Sequence, residues 1–251
     1  CKADLDAAFE APAGPVALHL DTGMNRLGLA PDRVAALTPE QIGQLDLRLV
    51  MSHLSCAEDR DAAMNAEQLR RFTALAAQFP GVRRSLANTG GVMLGEAYQF
   101  ELTRPGIGIY GATARPGEAH GLEPVVRLEA PVLQLRTLSP GDPVGYGAAY
   151  VADKPRLAAT VAAGYADGLP RALSGSGYAR FAGAKAPILG RISMDLTVLD
   201  VTDCEHAVRN GSPACFLGED LDAAAEAADT LPYELLTGLG RRAARVYEGA
   251  A

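Results

Sequence analysis

From residue 15 to residue 110, short apolar runs alternate with stretches of helical periodicity, and this alternation is the strongest constraint on the fold. Residues 15–20 (PVALHL) read as a strand, 31–44 as a helix and 47–54 (LRLVMSHL) as a second strand. Residues 58–79 carry Leu69, Phe72, Leu75, Ala76 and Phe79 on one helical face, and Pro80 and Gly81 end that helix. Residues 84–88 predict a third strand, followed by a helix starting near Gly90, and residues 102–110 predict a fourth strand. Such alternation builds parallel sheets from βαβ units. Each unit takes roughly 30 residues, and a closed eight-stranded barrel takes about 250. The expectation is an α/β domain over residues 1–118 that amounts to half of a (β/α)8 barrel.

The pattern changes after residues 115–121. Short β-type runs follow at 128–138, 155–163, 179–181, 186–189, 196–201 and 214–217, separated by turns such as Ser139-Pro140-Gly141-Asp142. Helices are expected at 220–228 and 232–239. Residues 119–251 therefore predict a second, mostly-β domain, and 251 residues suit two domains. The net charge is 23 − 30 = −7, and no run of Lys and Arg exceeds two residues, which argues against a nucleic-acid partner. No apolar stretch reaches the roughly 18 residues of a membrane span, and no basic-then-apolar leader opens the chain. Four scattered cysteines (Cys1, Cys56, Cys204, Cys215) read as reduced, and the protein as cytoplasmic.

In parallel α/β folds the loops after the strands' C-terminal ends form the active site. Asp21-Thr-Gly-Met-Asn-Arg26 occupies such a loop, and Arg26 suits a carboxylate or phosphate, or is simply a solvated surface group. His53 ends the second strand, where it either packs structurally or orients a neighbouring group. Asn88-Thr89-Gly90-Gly91 and Arg104-Pro-Gly-Ile-Gly108 follow the third and fourth strands, and two polar, Gly-rich loops on consecutive strands suit an anion cradle. Gly164-Tyr-Ala-Asp-Gly-Leu-Pro-Arg171 and Gly190-Arg-Ile-Ser-Met-Asp195 are the corresponding Gly-bracketed segments of the second half. Tyr165 is there either a proton carrier or a packing aromatic, and the residues alone leave both open.

Taken in order, DTGMNRLG (21–28), SHLSCAED (52–59), LANTGG (86–91), RPGIGIYG (104–111), GYADGLPR (164–171), GRISMD (190–195) and LPYELLTGLGRR (231–242) strongly resemble the alanine racemase family. The resemblance covers essentially the whole chain. It implies a pyridoxal 5'-phosphate enzyme with a (β/α)8 barrel, a C-terminal β domain and an obligate head-to-tail homodimer. It implies interconversion of L- and D-alanine by two-base proton transfer, supplying D-alanine for peptidoglycan. Tyr165 then matches one of the two bases, reaching into the partner subunit's site. Arg104 matches the donor to the cofactor's pyridine nitrogen, and His53 the bridge between that Arg and the Tyr. Thr89, Gly106, Ile107 and Tyr233 match the phosphate cradle, with Asn88 beside them. Arg26 and Met194 match contacts to the substrate carboxylate, and Arg191, Asp195 and Asp167 match supporting groups. Two bases on opposite faces are what inversion at an α-carbon requires.

Two departures stand out. The family's cofactor-binding Lys motif does not occur: the three lysines, Lys2, Lys154 and Lys185, lack its context. The expectation is that the chain corresponds to the latter two thirds of a racemase, inactive and poorly soluble by itself because half a barrel leaves strand edges open. The other departure is His19, where many relatives carry a carbamylated Lys that buttresses the substrate-binding Arg. The competing readings are a pyridoxal-phosphate barrel decarboxylase and a non-catalytic cofactor-binding or dimerisation fragment.

Overall fold

Strand β1 (Val16–His19) enters a three-stranded parallel sheet in the order β1-β2-β3, with β2 at Leu47–Met51 and β3 at Arg83–Ser85. The structure is a computed structural model that describes residues 14–113, 115 and 121–249, together with Leu5, Ala7 and Phe9. Leu18 lies opposite Val50, and Val50 opposite Arg84, so the three strands end at one level. Between β1 and β2 lie α1 (Pro31–Ala35) and α2 (Pro39–Gly43), and between β2 and β3 lies α3 (Ala63–Ala76). After β3 come α4 (Thr89–Leu94) and 3-10 turns at Glu96–Tyr98 and Ile107–Tyr110. Leu20, Val34, Val50, Phe72 and Leu86 form the core beneath the sheet, and Phe72 meets Phe100 edge to face at 5.1 Å.

Two expectations are corrected here. The helix expected over 31–44 is two helices, because Pro39 forces Thr38 into an extended conformation (ψ 155°). Thr38 then caps α2 in a reciprocal box with Gln41. The fourth strand expected at 102–110 is irregular chain followed by a 3-10 turn. It still runs beside β3, since Leu102 and Arg104 donate to Arg84 and Ala87 carbonyls, but Pro105 has no N–H with which to extend a ladder.

The chain divides into two compact units, Cys1–Ile109 and Tyr110–Ala251. The boundary expected between residues 118 and 119 lies outside the described residues, as does Cys1. The second unit holds a six-stranded antiparallel sheet in the order β10-β7-β4-β11-β8-β9. Its strands are β4 (Glu129–Leu138), β7 (Arg156–Val161), β8 (Tyr178–Phe181), β9 (Ala184–Pro187), β10 (Thr197–Asp200) and β11 (Pro213–Cys215). An antiparallel bridge from Ile188 to Leu199 joins the β9 edge to β10, so the sheet closes on itself. The expected helices are α5 (Leu221–Ala227) and α6 (Pro232–Gly238). A two-stranded ribbon, β5 (Pro143–Val144) and β6 (Tyr150–Val151), was not foreseen, because two-residue strands carry no periodicity. The three described cysteines are unpaired, and no helix among the described residues is long and apolar enough to cross a membrane.

Candidate active site

In the first unit the site residues gather beyond the ends of β1, β2 and β3. The loop after β1 is pinched shut by Asp21 N–H to Leu29 O and Leu29 N–H to His19 O, both 2.8 Å. Gly28 (φ +124°) makes this possible, since a Cβ there would lie 2.9 Å from the Asp21 nitrogen. Within the loop Asp21 Oδ1 accepts from Gly23 N (2.9 Å) and Asn25 N (3.1 Å), and Arg26 projects into solvent. After β2 come buried Ser52, half-buried His53 and buried Leu54.

After β3, Asn88 caps α4 by accepting from Gly91 N at 2.9 Å. Gly90 and Gly91 let α4 approach the preceding loop, since a Cβ on either would lie 2.8 Å from Ala57 or Leu54. Buried Thr89 accepts with Oγ1 from both Gly106 N (2.9 Å) and Gly108 N (3.1 Å), so these donors converge on one oxygen. Arg104 donates its guanidinium to Ser85 Oγ and to the Ser52 carbonyl, which aims it across the ends of β2 and β3. The Asn88 amide lies 3.5 Å from His53 Nε2.

The electrostatics of this cluster are one-sided. Burial lowers the Arg104 pKa, though a guanidinium stays charged. Burial lowers the His53 pKa as well, and Arg104, Arg26 and His19 push it further down, so His53 is neutral near pH 7. His19 is also lowered, by burial and by Arg104, against an opposing pull from Asp21. Among the described residues no carboxylate reaches salt-bridge distance of Arg104 or Arg26. Two guanidiniums, two neutral imidazoles and the Thr89 hydroxyl that gathers the Gly106 and Gly108 amides suit an anionic ligand. No group of His, Cys, Asp and Glu suited to a metal occurs among the described residues.

In the second unit Tyr165 opens a 3-10 turn, Tyr165–Asp167, locked to the GRISMD segment by Tyr165 N to Ser193 O and Ala166 N to Met194 O, both 3.0 Å. Asp167 accepts from Gly164 N (2.9 Å), and Arg242 bridges Asp167 (3.3 Å) to Asp195 (2.7 Å). Gly168 (φ +102°) lies against Gly238 at the end of α6, the helix that carries half-exposed Tyr233. Met194 and Arg191 are exposed. Sequence reasoning passed over Tyr146. It lies between Gly145 and Gly147 (φ +70° each) in the β5–β6 connection, is 71% exposed against 44% for Tyr165, and adjoins Arg191, whose guanidinium lies against Gly147. The signal was present: Gly-Tyr-Gly is the same Gly bracketing that drew attention to Tyr165.

The model of the alanine racemase N-terminal domain matches residues 3–114, and that of the alanine racemase C-terminal domain matches 125–247. The alanine racemase of Acidiphilium cryptum (strain JF-5) is 46% identical over 244 residues, covering 96% of this chain and 68% of the relative. This chain belongs to the alanine racemase family.

Its first unit is accordingly part of the family's barrel domain and its second the family's β domain. Another alanine racemase, from Methylobacterium sp. (strain 4-46), is 47% identical over 237 residues, covering 93% of this chain but 65% of the relative. The chain thus spans about two thirds of the length of the curated alanine racemases that it matches. A crystal structure of alanine racemase from Bartonella henselae with covalently bound pyridoxal phosphate superposes with a TM-score of 0.87 at 36% identity, over 98% of this chain and 70% of that one. The alanine racemase of Streptomyces coelicolor A3(2) gives 0.86 at 31% identity, over 99% and 70%.

Proposed function

We propose that the full-length protein containing this chain interconverts L- and D-alanine with pyridoxal 5'-phosphate as cofactor. The observation that carries the reading is the half-buried Arg104 guanidinium, held by Ser85 and Ser52 beside neutral His53 and the Thr89 hydroxyl on which the Gly106 and Gly108 amides converge. When bound, pyridoxal phosphate withdraws electrons from the α-carbon of the amino acid attached to it and so acidifies the α-proton. Arg104 would donate to the ring nitrogen without surrendering its proton. Thr89, Gly106, Ile107 and Tyr233 would hold the phosphate, with Asn88 beside them. Arg26 and Met194 would hold the substrate carboxylate. Asp195, Arg191 and Asp167 would brace the loops, and His19 would stand behind Arg26.

Inversion requires a base on each face of the α-carbon. The resemblance gives one of them to Tyr165, reaching into a partner subunit of a head-to-tail homodimer, with His53 linking the phenol to Arg104. A second reading gives that role to Tyr146. Its greater exposure, its mounting between two glycines and its neighbour Arg191 favour a side chain that projects out of its own subunit. Tyr165, with its backbone N–H tied to Ser193, would then line the approach. Among the described residues the lysines are Lys154 and Lys185, both exposed and both in the second unit, so the covalent anchor for the cofactor is to be sought outside the described residues. We place the protein in the cytoplasm, supplying D-alanine for peptidoglycan.

Racemase assays on the full-length protein with L-alanine, L-serine, L-lysine and L-arginine test this reading. Alanine turnover, with a cofactor absorbance band that borohydride abolishes, is the expected result. Carbon dioxide release without racemisation would replace it with the decarboxylase reading.

A further inference from the structure

The buried stripe of α3 runs Asn65, Gln68, Phe72, Ala76, so amides occupy its N-terminal half where apolar groups would serve packing as well. Gln68 has no exposed surface. Its Nε2 donates to Thr22 Oγ1 (3.1 Å) and to the His53 carbonyl (2.9 Å). Its Oε1 accepts from Ser55 N (2.8 Å) and Ser55 Oγ (3.0 Å). Both donors and both lone pairs of the amide are therefore used. Thr22 Oγ1 also bonds Ser52 Oγ at 2.7 Å, and the Ser52 carbonyl receives Arg104. One turn further along α3, Arg71 donates to the Thr22 carbonyl at 3.3 Å.

We propose that Gln68 is a positioning residue for the reaction, tying the Arg26 loop to the His53 loop and, through Thr22 and Ser52, to Arg104. The proposal rests on the racemase reading of the site. All the partners of the Gln68 side-chain amide lie in the loops after β1 and β2, and none lies in its own helix. A Leu or Met at position 68 would extend the apolar stripe of Phe72 and Ala76 by one turn, so the amide serves the loops and not the core. A buried and fully satisfied polar network holds one arrangement of the groups that it joins. Displacing catalytic groups by about 1 Å costs on the order of 10²-fold in rate.

The test uses the full-length holoenzyme with Gln68→Leu and, separately, Thr22→Val, which preserves shape and leaves α3 untouched. In each, kcat/KM for alanine is expected to fall about tenfold or more while the cofactor remains bound. A second readout is independent of turnover: His53 titration followed by NMR on isotopically labelled protein. The charged and titratable groups facing His53 are Arg104, Arg26 and His19. Releasing its loop hydrates the ring and draws it away from Arg104, so its titration moves up toward the ordinary histidine value. Unchanged His53 titration with kcat and KM within twofold of wild type would overturn the proposal, whatever happens to the melting temperature. If Gln68→Leu does not fold, Thr22→Val carries both readouts. Absence of alanine turnover in the wild type would sink the function reading alone, because the NMR arm still decides on Gln68.

Discussion

A guanidinium can be buried only if its donors are met. Half-buried Arg104 meets this need in part, through Ser85 and Ser52, with no carboxylate among its described partners. A lysine would keep the charge but not the planar fork that spans both acceptors. Arg104→Lys in the full-length enzyme is therefore expected to lower kcat/KM on the order of 10²-fold, measured by steady-state racemisation. The same cluster predicts a pH dependence of stability. Burial and the neighbouring arginines depress His53 and His19 below their ordinary 6.5, so the unfolded chain takes up protons first as the pH falls. Their contribution is present above 6.5 and is lost as the pH drops through the folded values. Urea unfolding at pH 7.5 and 5.5 is expected to show a smaller loss on acidification in His53→Gln than in wild type. Arg104, Asn88 and Thr89 stood out in the sequence as polar residues of Gly-containing loops after strands, and the fold brings them together, with Asn88 also serving as the cap of α4. Gln68 did not, because a helical-periodicity reading counts apolar residues and passes over an amide in the same stripe.

At the scale of elements, apolar runs bounded by turn residues recovered the three parallel strands and the six strands of the closed sheet, although β1, β2, β3, β9 and β11 each bury a single side chain. Where it erred, local chemistry overrode the pattern. Pro39 divided one helix into two, Pro105 kept the 102–110 segment out of a ladder, and β5 and β6 were too short to register. That last omission also hid Tyr146, whose reach depends on the ribbon that carries it. The GYADG turn shows how tightly these elements are fitted. A Cβ on Gly164 would lie 2.3 Å from the carbonyl oxygens of both Ser193 and Met194. Both are backbone atoms, so relief requires moving the GRISMD segment. Gly164→Ala is expected to cost about 1–3 kcal/mol, read from the shift in urea midpoint at constant m-value, and to lower activity through displacement of Met194.

At the scale of the molecule, one unit presents a cationic set of loops and the other exposed phenols on a β scaffold. The family assignment follows from matches to both units, and the chain carries about two thirds of the length of its curated relatives. The order of the seven motifs made the family legible in the sequence. The resemblance points to Tyr165 as base and passes over Tyr146, the second Gly-bracketed tyrosine, 19 positions earlier (165 − 146) and also beside the GRISMD segment. The most direct test of the whole account is deuterium incorporation at the α-carbon of alanine, measured in heavy water from each enantiomer with the full-length protein, Tyr146→Phe and Tyr165→Phe. Exchange is expected from both enantiomers in the wild type, with loss of exchange in one direction when the base phenol is removed. No wash-in by the wild type, or exchange in both directions surviving in both variants, would contradict the account.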